Sequence, residues 1–399
     1  MVSNTLHPTI EVSPLIPTYK RFPITLVKGK GSYVWDEEGN EYLDFTSGIA
    51  TCNLGHVPDV VKESVEEQLQ ALWHCSNLYH IPKQEELAAQ LVKHSCGDQV
   101  FFCNSGAEAN EAAIKLARRY FQKIKGGEAE IVTFTQSFHG RTMGTLSATG
   151  QENIQQGFAP LLSGFRHLPF NDFEALEQIP TQKTCAVLVE LVQGEGGVIP
   201  ADIRWVQRLE EICKENDLIL MVDEIQTGMG RTGTLFAYEQ YGIEPDVISI
   251  AKGLGSGFPI GAIIAKEKVA EAFGPGNHGS TFGGNPLSAS AGLATVNHLV
   301  TSDRINEAFI LGHYLKEKLE ELKDEFAEIK EVRGKGLLLG MVVSCDALSI
   351  VEKAREKKVL LLTAGPNVVR ILPPLTTSKQ EIDSFVSILK CVFDILDRA

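Results

Sequence analysis

The 399-residue sequence predicts an α/β protein, with a mostly parallel central sheet flanked by helices and a smaller α+β domain built from both termini. Three observations carry that expectation. Short apolar runs without polar alternation recur through the middle of the chain, as in strands buried on both faces. Helical patterns lie between several of these runs, the alternation of an α/β fold. The last third mixes long amphipathic helices with further strands.

Along the chain, residues 24–27 and 33–35 form a hairpin-like pair, and 41–45 follow as a third short strand. These are expected to pack with the terminal domain. Strands are predicted over 100–103, 131–134, 185–189, 218–222 and 247–250. A helix over 108–121 carries Ala112, Ala113, Leu116 and Ala117 on one face and stops near Gly126-Gly127. Another over 205–214 carries Val206, Leu209, Ile212 and Cys213. Residues 305–322 read as a long amphipathic helix, and 336–343 and 368–372 as strands. Ser378-Lys379-Gln380-Glu381 is a capping box opening a final helix through Leu396. The expected division is an N-terminal segment over 1–57, a large ligand-binding domain over 58–285 and a small domain over 286–399.

The formal net charge of −14 argues against nucleic acid or anionic membranes as partners. An anionic ligand must then be held by local arginines and backbone amides. Met1-Val2-Ser3-Asn4-Thr5-Leu6-His7 shows no basic segment leading into an apolar core, so no secretory signal is expected. No apolar run approaches the ~20 residues that span a bilayer. The eight cysteines are scattered with no CxxC pair, which favours mostly buried thiols in a reduced cytoplasm over zinc or dithiol chemistry. No metal site is expected.

The chemistry-bearing residues cluster just after the predicted strands, where α/β sheets place their ligands. Lys252 follows the apolar run 247–251 and opens a glycine-rich stretch. An amine held there loses hydration, so its pKa falls and it suits Schiff-base formation with a carbonyl. The competing reading is a solvated loop lysine. Ser105 and Glu108 have capping-box spacing, which turns the Gly106 and Ala107 amides outward as a phosphate seat; a plain helix start has the same spacing. Phe138 offers a flat face for a ring, and Arg141 a two-pronged carboxylate clamp; in isolation both suit an ordinary loop. Glu190 and Glu195 lie beside flexible glycines, with surface solvation as the alternative. Asp223 ends a run too apolar for an unpaired carboxylate, so it calls for a cationic partner. A structural salt bridge and a protonated pyridine nitrogen both meet that need. Asp223 precedes Lys252 by about one βαβ unit of ~30 residues. A phosphate seat, a stacking ring, a buried acid and a Schiff-base lysine are together the parts that pyridoxal 5'-phosphate requires.

The ordered set Asn104-Ser105-Gly106-Ala107-Glu108-Ala109, Phe138-His139-Gly140-Arg141-Thr142, Asp223-Glu224-Ile225-Gln226-Thr227-Gly228-Met229-Gly230-Arg231 and Lys252-Gly253 resembles the class III (subgroup II) pyridoxal-phosphate aminotransferases of fold type I. Nearly the whole chain takes part. The resemblance implies that Lys252 carries the cofactor and Asp223 pairs with its ring nitrogen. Gln226 would lie near the ring hydroxyl, Phe138 stacks on the ring, Ser105, Gly106 and Ala107 hold the phosphate, and Glu224 belongs to the cofactor set. Ser280-Thr281-Phe282-Gly283-Gly284-Asn285-Pro286 resembles a segment reaching in from a neighbouring subunit, with Thr281 on phosphate and Ser280 near substrate. That implies a homodimer.

Segments Thr46-Ser47-Gly48-Ile49-Ala50, Asn53-Leu54-Gly55-His56, 72–78 and 363–370 resemble those of the class members that act on acylated diamines, and that resemblance implies ω-amino transfer between N2-acetylornithine and 2-oxoglutarate, with succinylated diamines also accepted. Arg141 would then hold the α-carboxylate of acetylornithine, and Arg370 that of glutamate. Glu195 would neutralise Arg370 for the first substrate, which stops it binding backwards, and swing away for the second. The nearest alternatives are an ornithine or 4-aminobutyrate aminotransferase. No tyrosine lies near Ser47, and Phe138-His139 replaces the Phe-Trp of ornithine-type members; both weaken the ornithine reading. An aminomutase would have no dicarboxylate for Arg370. A pyridoxal-phosphate-binding sensor would need a basic helix-turn-helix region, and none is apparent.

Overall fold

In the computed structural model, residues 14–124 and 126–397 are described. Met1 to His7, where no signal was expected, lie outside them. Strands β1 (Leu26–Lys30), β2 (Tyr33–Asp36) and β3 (Glu41–Asp44) form an antiparallel meander. The first strand starts two residues later than the sequence pattern predicts. The middle of the chain contributes β4 (Gln99–Cys103), β5 (Glu130–Phe134), β6 (Phe165–Leu168) and β7 (Thr184–Val189). A short ribbon of β8 (Val192–Gln193) and β9 (Ile199–Pro200) follows, then β10 (Ile219–Asp223), β11 (Val247–Ile250) and β12 (Gly261–Ala265). The large sheet has the order β4-β12-β11-β10-β7-β5-β6. Neighbours from β11 to β6 pair in parallel, whereas β12 runs antiparallel to both of its neighbours.

Side-chain alternation explains why these strands show no polar period. Ala186, Leu188, Ile219 and Met221 enter one core, beneath the helix Gly106–Ile124. Val187, Val189, Leu220 and Val222 enter the other, beneath the helix Ile203–Glu215. Ala109, Ala112, Ala113 and Ala117 are fully buried, and their small side chains bring the first helix close to the sheet.

The last third supplies β13 (Ile329–Lys335), β14 (Leu338–Val343), β15 (Val359–Leu360), β16 (Leu362–Thr363) and β17 (Val368–Ile371). β13-β14-β17-β16 make one sheet, while β15 pairs in parallel with β3. Residues from both ends of the chain therefore share a sheet. The capping box at Ser378 is present: the Glu381 amide donates to Ser378 Oγ at 3.2 Å, and the Ser378 amide to Glu381 Oε2 at 2.7 Å. The helix Pro286–Thr301, on the terminal side of the expected boundary at 285, packs on the helices Asp59–Leu69 and Pro82–Lys93. Three of the eight cysteines are fully buried, four are half-buried and Cys391 is exposed, fewer buried thiols than expected.

The end of β3 is fixed by one ion pair. Asp44 Oδ2 lies 2.7 Å from His56 Nε2, while its Oδ1 accepts from the Thr46 amide and hydroxyl. The hydrogen bond that His56 donates to Asp44 is the largest influence raising the imidazole, to a pKa of about 10. Because the folded value exceeds the ordinary 6.5, the charged imidazole contributes stability in full below pH 6.5, and that contribution is lost as pH rises through about 10. The expected result is a melting-temperature gap between wild type and His56→Gln that is widest below pH 6.5 and closes toward pH 10. A gap constant across that range would refute the pair's role.

Candidate active site

A cavity of about 480 Å³ opens at the carboxyl ends of β4, β5, β7, β10 and β11, a size suited to a small-molecule site. Each strand sends a short segment into its wall. β4 is followed by Ser105, Gly106 and Ala107, β5 by Phe138 to Arg141, β7 by Glu190 and Glu195, β10 by Asp223 and Gln226, and β11 by Lys252.

Lys252 sits in the left-handed region at φ 43°, uncommon for a residue with a side chain. The turn after it is tight because the next residue is glycine. A Cβ on Gly253 would stand 2.2 Å from Asn53 Nδ2. Asn53 in turn donates to the Met229 carbonyl at 2.8 Å and accepts from Arg231 at 2.7 Å. Lys252 is half-buried, and among the described residues its amine has no hydrogen bond or ion pair. Burial is the largest influence and pulls it below the ordinary lysine range; Glu195 opposes this and Arg370 adds to it.

Asp223 is 5% exposed, and its carboxylate accepts from Asn110 Nδ2 and His139 Nδ1, both at 2.8 Å on Oδ2. Oδ1 accepts from the Ile225 amide at 3.1 Å. The sequence pattern left Asn110 and His139 without roles. Asn110 had a readable signal: it is a polar residue on the buried alanine face of its helix, one turn before Ala113 and two before Ala117.

Ser105 caps the helix Gly106–Ile124 through its hydroxyl, which accepts from the Glu108 amide at 3.2 Å. The return half of the box differs from expectation. Glu108 Oε2 accepts from the amide and side chain of Asn104 instead, at 2.5 and 2.9 Å. Gly106 and Ala107 amides keep the free donors of a helix start. A Cβ on Gly106 would meet Ile225 at 2.8 Å, so this helix end presses directly on the Asp223 loop.

Glu195 and Arg370 form an ion pair, and Arg370 also donates to the Gly194 carbonyl at 3.2 Å. Arg370 belongs to β17, far from Glu195 in sequence, and is 2% exposed. Burial works to raise Glu195, but the Arg370 charge and hydrogen bond outweigh it, so the carboxylate titrates below its usual range. Gln226 is buried with Oε1 unpartnered. Arg141 is exposed, with its guanidinium 5.6 Å from the Phe138 ring centroid.

Glu224 is turned away from the cavity. Its carboxylate accepts from Thr227 Oγ1 at 2.5 Å and the Tyr238 amide at 2.8 Å, and burial pushes it up to about 7. Side-chain alternation explains this, since Asp223 and its neighbour Glu224 face opposite ways. Ser280 stands at the rim, where its hydroxyl accepts from Asn104 Nδ2 at 3.1 Å, and Thr281 is exposed outside the cavity.

The family described as aminotransferase class III matches residues 16–393. An acetylornithine aminotransferase of Oceanobacillus iheyensis is 58% identical over 380 residues, covering 95% of each chain. The solved N-acetylornithine aminotransferase of Stenotrophomonas maltophilia is 37% identical with a TM-score of 0.83, covering 95% of this chain and 98% of that one. The ornithine aminotransferase of Toxoplasma gondii superposes with a TM-score of 0.93 at 31% identity, covering 96% and 93%. The chain belongs to the class III aminotransferases, pyridoxal-phosphate-dependent enzymes of fold type I. Its donor set fits that cofactor. Among the described residues there are free amides at a helix N-terminus for phosphate, a buried acid without a cationic side chain beyond its histidine, an unpartnered Gln226 Oε1 and an amine without a hydrogen bond.

The Gly253 contact yields a direct test. Gly253→Ala must displace Asn53 from Arg231, and the expected loss is about 1–3 kcal/mol of folding stability. Urea unfolding measures it as a lower midpoint with an unchanged slope. An unaltered midpoint would show that the turn tolerates a side chain.

Proposed function

We propose that this chain transfers the ω-amino group between N2-acetyl-L-ornithine and 2-oxoglutarate, giving N-acetyl-L-glutamate 5-semialdehyde and L-glutamate. The observation that carries the reading is the buried Arg370 paired with Glu195, a residue that lines the same cavity as Lys252. The 58% identity to the Oceanobacillus iheyensis enzyme supports the same substrate.

Pyridoxal phosphate, when bound, supplies an electrophilic carbon for amines and an electron-poor ring. Residues 58–285 form its binding unit in this reading. Lys252, whose amine burial pulls below the ordinary lysine range, would hold the cofactor at Nζ and move a proton there. Asp223, oriented by Asn110 and His139, would pair with the protonated ring nitrogen. Phe138 would cover the ring, Gln226 would meet its hydroxyl, and Ser105 with the Gly106 and Ala107 amides would seat the phosphate.

Arg141 at the cavity mouth takes the carboxylate of the acylated diamine. Glu195 neutralises Arg370 at that stage, because an amine without a neighbouring carboxylate has nothing to offer a bare guanidinium. Glutamate, whose amine lies beside a carboxylate, displaces Glu195 and binds Arg370. A second copy of the chain brings Thr281 to the phosphate and Ser280 to the substrate. Exposed Trp73, Leu78, Tyr79 and Phe282 support such an interface. We place the enzyme in the cytoplasm, where its eight free cysteines stay reduced.

Titrating the cofactor-loaded protein separately with acetylornithine, glutamate, ornithine and 4-aminobutyrate tests the substrate. The visible cofactor band is expected to disappear with the first two at far lower concentration than with the others. The reverse order would keep the chemistry and overturn the substrate. Lys252→Ala is expected to abolish both turnover and the protein-linked band; surviving turnover would sink the assignment of that lysine. Arg370→Ala should raise KM for glutamate at least roughly thirtyfold while sparing acetylornithine, the size of effect seen when a buried charged hydrogen-bond partner is removed. Equal losses for both substrates would remove the case for a switch.

A further inference from the structure

One buried acid in the cavity wall has no part in this mechanism. Glu190 follows β7 and Asp223 ends β10, two strands paired in parallel with Val189 opposite Val222. One step further along that register sets Glu190 beside Asp223, and both line the cavity. Two buried carboxylates so placed cannot both ionise cheaply.

Their hydrogen bonds decide which one keeps the charge. Asp223 accepts from Asn110, His139 and the Ile225 amide. Glu190, 8% exposed, accepts only from the Phe138 amide, at 2.9 Å on Oε2, and has no ion-pair partner among the described residues. Three donors stabilise a carboxylate far better than one, so the shared proton belongs on Glu190. Burial, reinforced by the Asp223 charge, raises Glu190 well above the ordinary carboxylate range, in the same direction.

The backbone geometry shows what a neutral Glu190 does. The His139 amide donates to Thr149 Oγ1 at 2.9 Å, and the His139 carbonyl accepts from Asn110 at 2.9 Å. Glu190 ties down the preceding residue, whose ring stands 5.6 Å from the Arg141 guanidinium. We propose that Glu190 is a positioning residue that acts as an uncharged acid, fixing the Phe138 ring over the cofactor and, through that ring, the Arg141 that receives substrate. The proposal rests on the cofactor reading above.

The test uses the holoenzyme with Glu190→Gln and Glu190→Leu. Glutamine is neutral and keeps an oxygen for the Phe138 amide, whereas leucine leaves that amide buried without a partner. Three quantities are measured: release of pyridoxal phosphate on dilution, visible circular dichroism of the bound cofactor, and KM against kcat for acetylornithine. Glu190→Gln is expected to match wild type in all three. Glu190→Leu is expected to release cofactor roughly tenfold faster, the effect of orphaning one buried donor. It should also lose dichroism, and KM should rise more than kcat falls. A glutamine variant that releases cofactor faster, loses dichroism and shows a raised KM would show that Glu190 must be charged and overturn the proposal. That result is decisive even if the leucine variant does not fold. A leucine variant equal to wild type would overturn the positioning role. A wild-type chain that retains no pyridoxal phosphate would sink the cofactor reading itself, and the inference with it.

Discussion

The central sheet is buried on both faces, and that burial decides where charge can stand. Along β7, β10 and β11 alternate side chains enter two different cores, so a charged residue anywhere within those strands would lie in hydrocarbon. The strand ends are the first positions where a carboxylate or an amine can meet solvent or a ligand. Asp223, Glu190 and Lys252 occupy those ends on three adjacent strands. The chemistry is gathered because the sheet excludes it elsewhere.

Gathering charge in a dry site raises a second problem, since like charges must be kept apart or neutralised. The site carries three acids, Glu190, Glu195 and Asp223, against Lys252 and Arg370. Each is handled differently. Glu195 is held by Arg370, Asp223 by hydrogen-bond donors, and Glu190 by its proton. Among the described residues Lys252 makes no hydrogen bond, while burial lowers its proton affinity. An amine fully ion-paired with Asp223 would be a poorer nucleophile.

These causes also set how much was legible in sequence. The five middle strands and their trailing motifs are local patterns, and an apolar run closed by Asp223 or Lys252 reads directly. β12 is hidden because Gly261 continues the glycine-rich stretch after Lys252, so its apolar residues look like the end of a loop. β6 is hidden because Phe-Arg-His-Leu is a half-buried edge strand without an apolar run. The direction of Glu224 follows from alternation past the strand end, which motif matching ignores. Resemblance suggested Glu195 with Arg370, but spacing did not, because β17 meets that loop only after the chain has folded. Asn110 was readable as a polar residue on a buried helical face, yet its partner Asp223 was not, since 113 positions separate them.

The turn that presents Lys252 depends on parts of the chain remote from it. Gly253 presses on Asn53 of the N-terminal segment, and Asn53 is gripped by the fully buried Arg231. Among the described residues Arg231 has no carboxylate partner. It donates instead to the carbonyls of Leu337 and Pro373, both from the last third of the chain. Burial brings its pKa down to about 9, still high enough to keep the guanidinium charged near neutral pH. The Leu375 amide adds a backbone bond to the Asn53 carbonyl at 2.8 Å. A charge left buried with only neutral acceptors is costly, so these oxygens must all be in place at once. Lys252 therefore reaches its left-handed conformation only when the N-terminal segment, the central sheet and the terminal sheet have come together. The conformation of Lys252 is set by the completed fold rather than by its own loop.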